Sequence, residues 1–589
     1  MQVSYQHANP HDGRESFLVR FHDDIHDQTT SILVDAGDGV DVDDLLGADE
    51  YLSAILLTHA HLDHYRTLGS NLRDEAPVYA TPETANAITT RLDTDADHAA
   101  LENPEAVRAA IDPIREWTTI TSDVRVHPVP AGHAPGACGF VLQFEDGDDY
   151  HHLLATGDFT TRRAAGYPGL QTDLDVDAVF LTAATTPDFG DQLTDAVATV
   201  VERATAGSTV LTTASGSTGV HLAYLLAHVG SSAGPEIPVT LAGRVATLWE
   251  AFEYEHPAVE SIPTFAEPDA VLEPGGVTIA GPEVPVAGSS ERLFETIADD
   301  AGATLVQVTS GAFDPEQSAG CTVVDYQLSN HPDEETVDAV VEELAPIHVV
   351  VTHQQGRAAD RYKDKYDSFV WATDDHQVYA LYDDGEWVGP PWVTDATHRR
   401  VRSRLYRTGG PTVGRAVDAA IPLPAVDRRD EVDLAAEGID VDRLAAALTV
   451  DASALTAPQP TASAAGDERT GAVAEGASAP DASAGEDATT GTAGTEDGAE
   501  DGVPDRDQTA GSMAEVLDRL ERIETAVTGT RIEATVVDAG DGVTLLRLPE
   551  DVLGDELAHG QRVQLAIRDV GDVDQSAHPA RDSDDGTSN

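Results

Sequence analysis

Cysteine is almost missing from this chain, since only Cys138 and Cys321 occur in 589 residues. Two distant thiols exclude a disulfide framework and a cysteine-built zinc site. Lysine is equally scarce: Lys363 and Lys365 are the only two, and arginine supplies the remaining positive side chains. Positive charge as a whole is short, with 35 basic residues against 105 acidic ones and a formal net charge of -70. No apolar run approaches the length of a membrane span, and nothing resembles a signal peptide. The expectation is therefore a soluble, cytoplasmic protein with no membrane partner.

A charge of this size repels itself in dilute salt. Near molar salt the Debye length falls to about 3 Å and the repulsion is screened. The acidity is spread along the whole chain, which argues against a patch built for cations or a basic partner. The composition instead resembles that of salt-in, haloarchaeal-type proteins. The length exceeds what one hydrophobic core serves and predicts two or three domains.

What is present in quantity is histidine, and its placement is uneven. "AILLTHAHLDHYRTLG", residues 54–69, packs His59, His61, Asp63 and His64 into six positions behind a short apolar run. Ala54 to Leu57 reads as a buried strand, so the cluster sits at a strand's C-terminal end, where open α/β sheets place their ligands. Imidazole nitrogens and carboxylate oxygens suit zinc, and three protein ligands with an open position form the catalytic arrangement. His59 and His61 can point the same way on an extended backbone, while Asp63 and His64 turn toward a second ion.

Along the chain, short strands alternate with turn-rich and helical stretches up to about residue 181. Between 182 and 325 the rhythm becomes strand, turn, helix in three successive passes, which predicts a parallel sheet with flanking helices. Residues 326–425 bring further strands and another His-bearing turn. A linker is expected over 426–511, most plainly from 456 on, where Leu, Ile and aromatic residues are missing and ordering entropy cannot be offset. A small module follows at 512–570. Its helix has capping-box spacing at Ser512 and Glu515 and an apolar stripe of Val516, Leu520, Ile523 and Val527, suited to packing on its own β segment or to self-association as a homo-oligomer. Residues 571–589 read as a disordered tail.

More pieces of chemistry follow in order: Asp35 in "LVDAGDG", the 59–64 cluster, His133 in "AGHAPGAC" and Asp158 in "ATGDFTTR". Together they resemble the successive motifs of the metallo-β-lactamase fold. "YQLSNHPDEETVDAVVEELAPIHVVVTHQQG" then holds His331 and His353, and this resembles the β-CASP group of nucleases, which carry an inserted α/β domain within that fold. The implied fold class is α/β: a metallo-β-lactamase αββα sandwich (1–181 and 326–425) with a β-CASP insertion at 182–325, then the acidic linker and the C-terminal helix plus β module. The resemblance covers roughly residues 15–400.

Carried over motif by motif, the resemblance implies two zinc ions. His59, His61 and His133 would hold one, Asp63, His64 and His353 the other, and Asp158 would bridge them. Such a pair clamps the attacking and leaving oxygens of a phosphoryl displacement and makes hydroxide available near neutral pH, with Asp63 and His331 as catalytic residues. Asp35 would orient a ligand histidine through its second ring nitrogen. His331, with Ser329 as a helix cap before Pro332, resembles the family's general acid or phosphate contact. The family supports that histidine with an acid where this chain has Thr182, and Asp188 stands nearby as a substitute; the resemblance is to a divergent member.

Two segments read as RNA contacts. The hydroxyls and amides of "TASGSTG", residues 213–219, from Ala214 to Ser217, suit phosphate at a helix N-terminus. In "THRRVRSRLYR", residues 397–407, a strand would put alternate residues among Arg399, Arg400, Arg402 and Arg404 on one face along a phosphate backbone, with Tyr406 for stacking; the same arginines could pair with the chain's own carboxylates. The implied activity is zinc-dependent hydrolysis of RNA, with RNA favoured over DNA by His353 and exonucleolytic cleavage by the expectation that no nucleic-acid-binding extension precedes the domain. The alternatives are a small-molecule hydrolase, which a large insertion disfavours, and a metal-containing RNA-binding scaffold of little activity.

Overall fold

The apolar runs form strands where covered on two faces. Gln28–Val34, Leu52–Leu56 and Ala178–Thr182 are almost wholly buried, the pattern of inner strands. In this computed structural model the described residues are 1–92, 101–233, 237–311, 313–354, 356–363, 365–407 and 423–456, with two short strands at 535–538 and 544–547.

Two sheets stack face to face. The first has eight strands, in the order Glu386–Trp387, Tyr379–Asp383, Gln2–His7, Phe17–Asp23, Gln28–Val34, Leu52–Leu56, Val78–Ala80 and Ile111–Pro113. The second has seven, in the order Phe369–Trp371, His348–Thr352, Ala178–Thr182, Asp149–Ala155, Cys138–Asp146, Val124–Pro130 and Thr118–Thr119. Their inner faces share one core, in which Phe17 of the first sheet stacks on Phe180 of the second with centroids 4.3 Å apart. Such an aromatic pair adds about 0.5–1.5 kcal/mol beyond its buried area. Outside the first sheet, helices Val42–Leu45, Pro82–Leu92 and Pro104–Ala110 bury Val42, Ile88 and Val107 against Leu33, Ile55 and Val78. Outside the second, helix Glu334–Leu344 buries Val337, Val340 and Val341 against Val179, Val349 and Val351. The layers are therefore helix, sheet, sheet, helix, as expected. That last helix is capped by Asp333, whose Oδ1 accepts from Thr336 N at 2.7 Å, and not by Ser329.

Ala178–Thr182 and His348–Thr352 are parallel neighbours, yet between them the chain leaves the sandwich and builds a third sheet. Its six strands, Val259–Ile262, Val239–Ala242, Val277–Ala280, Thr209–Thr213, Ala303–Thr309 and Thr322–Gln327, are all parallel. Helices Phe189–Thr205, Gly216–Ala233, Arg244–Ala251 and Gly288–Ile297 connect them. This is the inserted unit.

The linker expected from 426 begins later than its composition suggests. Val426, Leu434, Ile439, Leu444 and Leu455 are buried in the main core, and helices Val441–Leu448 and Ala452–Leu455 carry the last two. These spaced apolar residues outweigh the acidic, Ala-rich surroundings. Residues 457–511, the helix expected from 512 and the tail lie outside the described residues. The chain divides into units Met1–Ala472 and Val473–Asn589; in the second, Thr535–Asp538 pairs antiparallel with Thr544–Arg547. Among the described residues no helix is long and apolar enough to cross a membrane.

Candidate metal centre

Five strands from the two sandwich sheets end at one edge, and each C-terminal loop delivers a polar side chain. Asp35 follows Gln28–Val34, His59 follows Leu52–Leu56, His133 follows Val124–Pro130, Asp158 follows Asp149–Ala155 and His353 follows His348–Thr352. Backbone bonds tie the loops together: Asp35 N to Leu56 O at 2.8 Å, Ala36 N to His64 O at 2.8 Å, and Cys138 N to Thr58 O at 3.0 Å. Gly157 has φ +57°, and a Cβ there would lie 2.6 Å from Thr58 Cβ. Only glycine lets the Asp158 loop approach the histidine loop this closely. Asp35 and His353 themselves adopt left-handed backbone, at φ +57° and +49°, a costly conformation for non-glycine residues that concentrates at functional sites.

The donor atoms fall into the two expected groups. His59, His61 and His133 bring one nitrogen each within 4.8 Å of one another, as do the donor atoms of Asp63, His64 and His353. Asp158 lies between, its Oδ1 2.7 Å from His353 Nδ1 and its Oδ2 3.3 Å from His64 Nε2, 3.8 Å from His133 Nε2 and 4.0 Å from His59 Nε2.

The surroundings assign the protons. His133 Nδ1 lies 2.8 Å from the carbonyl oxygen of Asn330, which can only accept, so the proton is on Nδ1 and Nε2 is bare. Thr58 Oγ1 donates to Asp35 Oδ2 at 2.9 Å and therefore accepts from His59 Nδ1 at 3.0 Å, leaving His59 Nε2 bare. His64 Nδ1 donates to Asp35 Oδ2 at 2.8 Å. Asp35 thus orients His64 directly and His59 through Thr58, which widens its expected role.

This arrangement supplies the test of whether an ion fits. His59 Nε2 and His133 Nε2 stand 3.1 and 2.9 Å from the same His61 Nδ1. One proton on His61 can serve only one of them, so the trio carries more lone pairs than protons. His64 Nε2 is buried, and its one neighbour is Asp158 Oδ2 at 3.3 Å, outside good hydrogen-bond geometry. A cation in each group would satisfy these atoms, and imidazole with carboxylate is a zinc-type donor set.

Electrostatics separates the two groups. Burial, reinforced by the neighbouring imidazoles, holds His59 well below its ordinary pKa, and burial dominates the same shift at His133 and the smaller one at His61. These rings are neutral, the ligating form. His64 and His353 shift upward although burial opposes it, because Asp158 attracts their protons and Asp35 adds to the effect at His64. Asp158 resists burial through His353, His64 and His331 and stays ionised, well below the carboxylate range. Asp63 is exposed and is also held low, His64 and His61 overcoming desolvation. Glu15, which the sequence reading missed, is buried near this group and pushed up to about 7 by desolvation.

His331 joins the cluster, with Nε2 3.9 Å from Asp158 Oδ2. Burial lowers its pKa to about 4, and its Nδ1 has no hydrogen-bond partner. The expected acidic support is absent: Thr182 closes its strand and Asp188 is exposed, beside Gln192. Arg162 and Asn330 fix the backbone around His331 and leave its ring Nδ1 unpartnered. Arg162 donates to Asn330 Oδ1 at 3.0 Å and to His331 O at 2.7 Å, and Asn330 Nδ2 donates to His133 O at 2.8 Å.

The expected RNA-contact segments are placed differently. Residues 395–407 form a helix, not a strand, so alternation gives no common arginine face. Arg400 pairs with Asp367 at 2.9 Å, Arg404 donates to Pro346 O at 2.6 Å, and Arg402 lies 3.7 Å from Glu386. Pro346 and Asp367 precede strands His348–Thr352 and Phe369–Trp371, at the end of the sheet opposite the donor cluster, so Arg400 and Arg404 are not brought to it. Arg399 is exposed on the same helix, and the Tyr406 side chain lies outside the described residues. In the loop 213–219, Ala214 is buried and its amide donates to Ala280 O at 3.1 Å, so position 214 offers a phosphate nothing. Ser217 does reach the centre, with Oγ 3.1 Å from His61 Nε2.

Residues 30–203 match the family model for the beta-lactamase superfamily domain. That match and the His/Asp cluster together support metal-dependent hydrolase chemistry in general. A crystal structure described as a protein of unknown function from Enterococcus faecalis V583 is similar, with a TM-score of 0.47 and 14% identity over 64% of this chain and 99% of that chain. No curated protein matches the sequence.

Proposed function

We propose that this protein is a zinc-dependent ribonuclease of the β-CASP type, hydrolysing RNA phosphodiester bonds exonucleolytically in RNA processing or decay in a salt-rich cytoplasm. The observation that carries this reading is that two donor trios share one carboxylate, Asp158, beneath the inserted α/β unit. His59, His61 and His133 would hold one zinc ion, Asp63, His64 and His353 the other. When bound, the pair supplies Lewis acidity toward phosphate oxygens and lowers the pKa of water. The other groups bind and orient. His331, neutral at pH 7, offers one N–H to a phosphate or leaving oxygen, and the negative substrate raises its affinity for a second proton. Phosphate contacts weaken steeply with salt, so binding to a chain of charge -70 relies on the metal centre more than on surface arginines.

Thr182 in the acid's place, with His331 Nδ1 unpartnered, favours a second reading, a metal-containing RNA-binding scaffold of little activity. One experiment separates the two: cleavage of RNA and DNA labelled at either end, in high-salt buffer with zinc. RNA cleavage is expected to vanish with chelation and with His59→Ala, and to fall about 10²- to 10⁴-fold with His331→Ala, the range for loss of a proton-transfer group. Folded, zinc-loaded protein that cuts neither polymer would leave the scaffold reading.

A further inference from the structure

The two donor groups differ in what holds them. His59 and His64 are oriented from within the sandwich, through Asp35. His61 and His133 are not. His61 Nε2 faces Ser217 Oγ, 156 residues away, in the first turn of helix Gly216–Ala233 of the inserted unit. His133 Nδ1 donates to the carbonyl of Asn330, three residues past the inserted sheet's last strand, Thr322–Gln327. Two of three imidazoles in the His59–His61–His133 trio therefore take their orientation from the insertion or its exit. Both histidines of the other trio are hydrogen-bonded to sandwich carboxylates, His64 to Asp35 and His353 to Asp158.

We propose that Ser217 is a positioning residue which makes ion retention by the His59–His61–His133 trio depend on the seating of the inserted unit. The reasoning is tautomeric. His61 Nδ1 faces the trio's centre, so its lone pair is free for an ion only when the ring proton sits on Nε2. Ser217 Oγ, 3.1 Å from Nε2, can accept from that N–H and so favours this tautomer once an ion takes the Nδ1 lone pair. Withdraw the inserted unit and this acceptor leaves with it, whereas Asp35 keeps His64 aligned. Because coupling is reciprocal, an ion in this trio favours the seated unit, and a substrate that displaces the unit loosens one ion and spares the other.

The inference rests on the metal-centre reading, and the experiment separates the two. Full-length protein carrying two equivalents of zinc is titrated with a chelator while released zinc is followed. Ser217→Ala should release one ion about 10- to 100-fold more readily than wild type, the usual effect of removing a ligand's hydrogen-bond partner, with the second ion unchanged. Ser217→Thr, which restores a hydroxyl, should behave as wild type. Ser215→Ala is the structural control: Ser215 Oγ accepts from Thr218 N at 3.3 Å in the same helix turn and bonds to Thr218, not to His61. Identical release curves for Ser217→Ala and wild type, equal loosening of both ions, or the same effect from Ser215→Ala would overturn the inference and leave the metal centre standing. Wild-type protein that takes up no zinc would overturn both.

Discussion

Asp35 Oδ2 lies 2.8 Å from His64 Nδ1 and 2.9 Å from Thr58 Oγ1, so one buried carboxylate aligns a histidine from each donor group. Its other oxygen accepts from Thr58 N at 2.9 Å. An amide cannot replace it, because Asn presents one accepting oxygen where three donors converge. Asp35→Asn should weaken retention of both ions by about 10- to 100-fold and lower stability by about 1–3 kcal/mol through the donor left unsatisfied. Chelator competition and denaturant unfolding are the measurements. Wild-type retention of either ion in Asp35→Asn would show that its histidine does not need this support.

Acid should destabilise the fold through buried histidines that are not among the metal-donor groups. Burial lowers both His7 and His348 to about 3; neither nitrogen of His7 has a partner, and His348 Nδ1 accepts from Trp371 Nε1 at 2.8 Å. Above pH 6.5 both are neutral, folded or unfolded, and contribute no pH dependence. Between 6.5 and about 3 the unfolded chain takes up protons that the folded one refuses, so stability falls as pH falls. Each such histidine steepens the slope by up to about 1.4 kcal/mol per pH unit. His348→Gln keeps an acceptor for Trp371 and removes one titrating group. Unfolding free energies from pH 7 to 5 should therefore slope less in the variant than in wild type; parallel slopes would mean that His348 accepts its proton while folded.

Salt should stabilise the protein. Individual ion pairs such as Arg443 with Asp191 and Asp195, at 2.7 and 2.6 Å, are exposed and each worth at most about 1 kcal/mol. Screening them costs little beside relieving the repulsion within a net charge of -70. The melting temperature should rise between 0.1 and 2 M KCl, as the Debye length falls from about 10 Å to below 3 Å. A flat or falling curve would show that local pairing already offsets the net charge.

The fold and the donor cluster were legible where information is local or ordered. His59 to His64 announce themselves by spacing behind an apolar strand, and His133, Asp158 and His353 follow as the successive ends of further strands. The contacts that orient them were not legible. Ser217 meets His61 across 156 residues, a proximity that exists only once the inserted unit is seated. Asn330 acts through its backbone carbonyl, which has no sequence signature. The arginine segment misled because alternate charges suit a strand, whereas buried Val401 and the i, i+4 pair Arg400 and Arg404 mark the inner face of a helix. Composition marks residues 426–456 as linker, although Leu434, Ile439, Leu444 and Leu455 dock them.

That docked segment also carries one buried carboxylate. Glu437 is fully buried; its carboxylate accepts from Ala165 N, Gly166 N and His221 Nε2, each at 2.8 Å. Ala165 and Gly166 both have positive φ, +52° and +89°, so the carboxylate fastens a turn that would otherwise relax. Glu437→Ala would strip the acceptor from three buried donors and should cost about 3–5 kcal/mol, the range for breaking a buried pair. Glu437→Gln, retaining one accepting oxygen, should fall between. Thermal and denaturant unfolding of full-length protein test this. A loss below about 1 kcal/mol for Glu437→Ala would mean that water replaces the carboxylate and that apolar packing, with Leu434, Ile439 and Leu444, holds the segment without it.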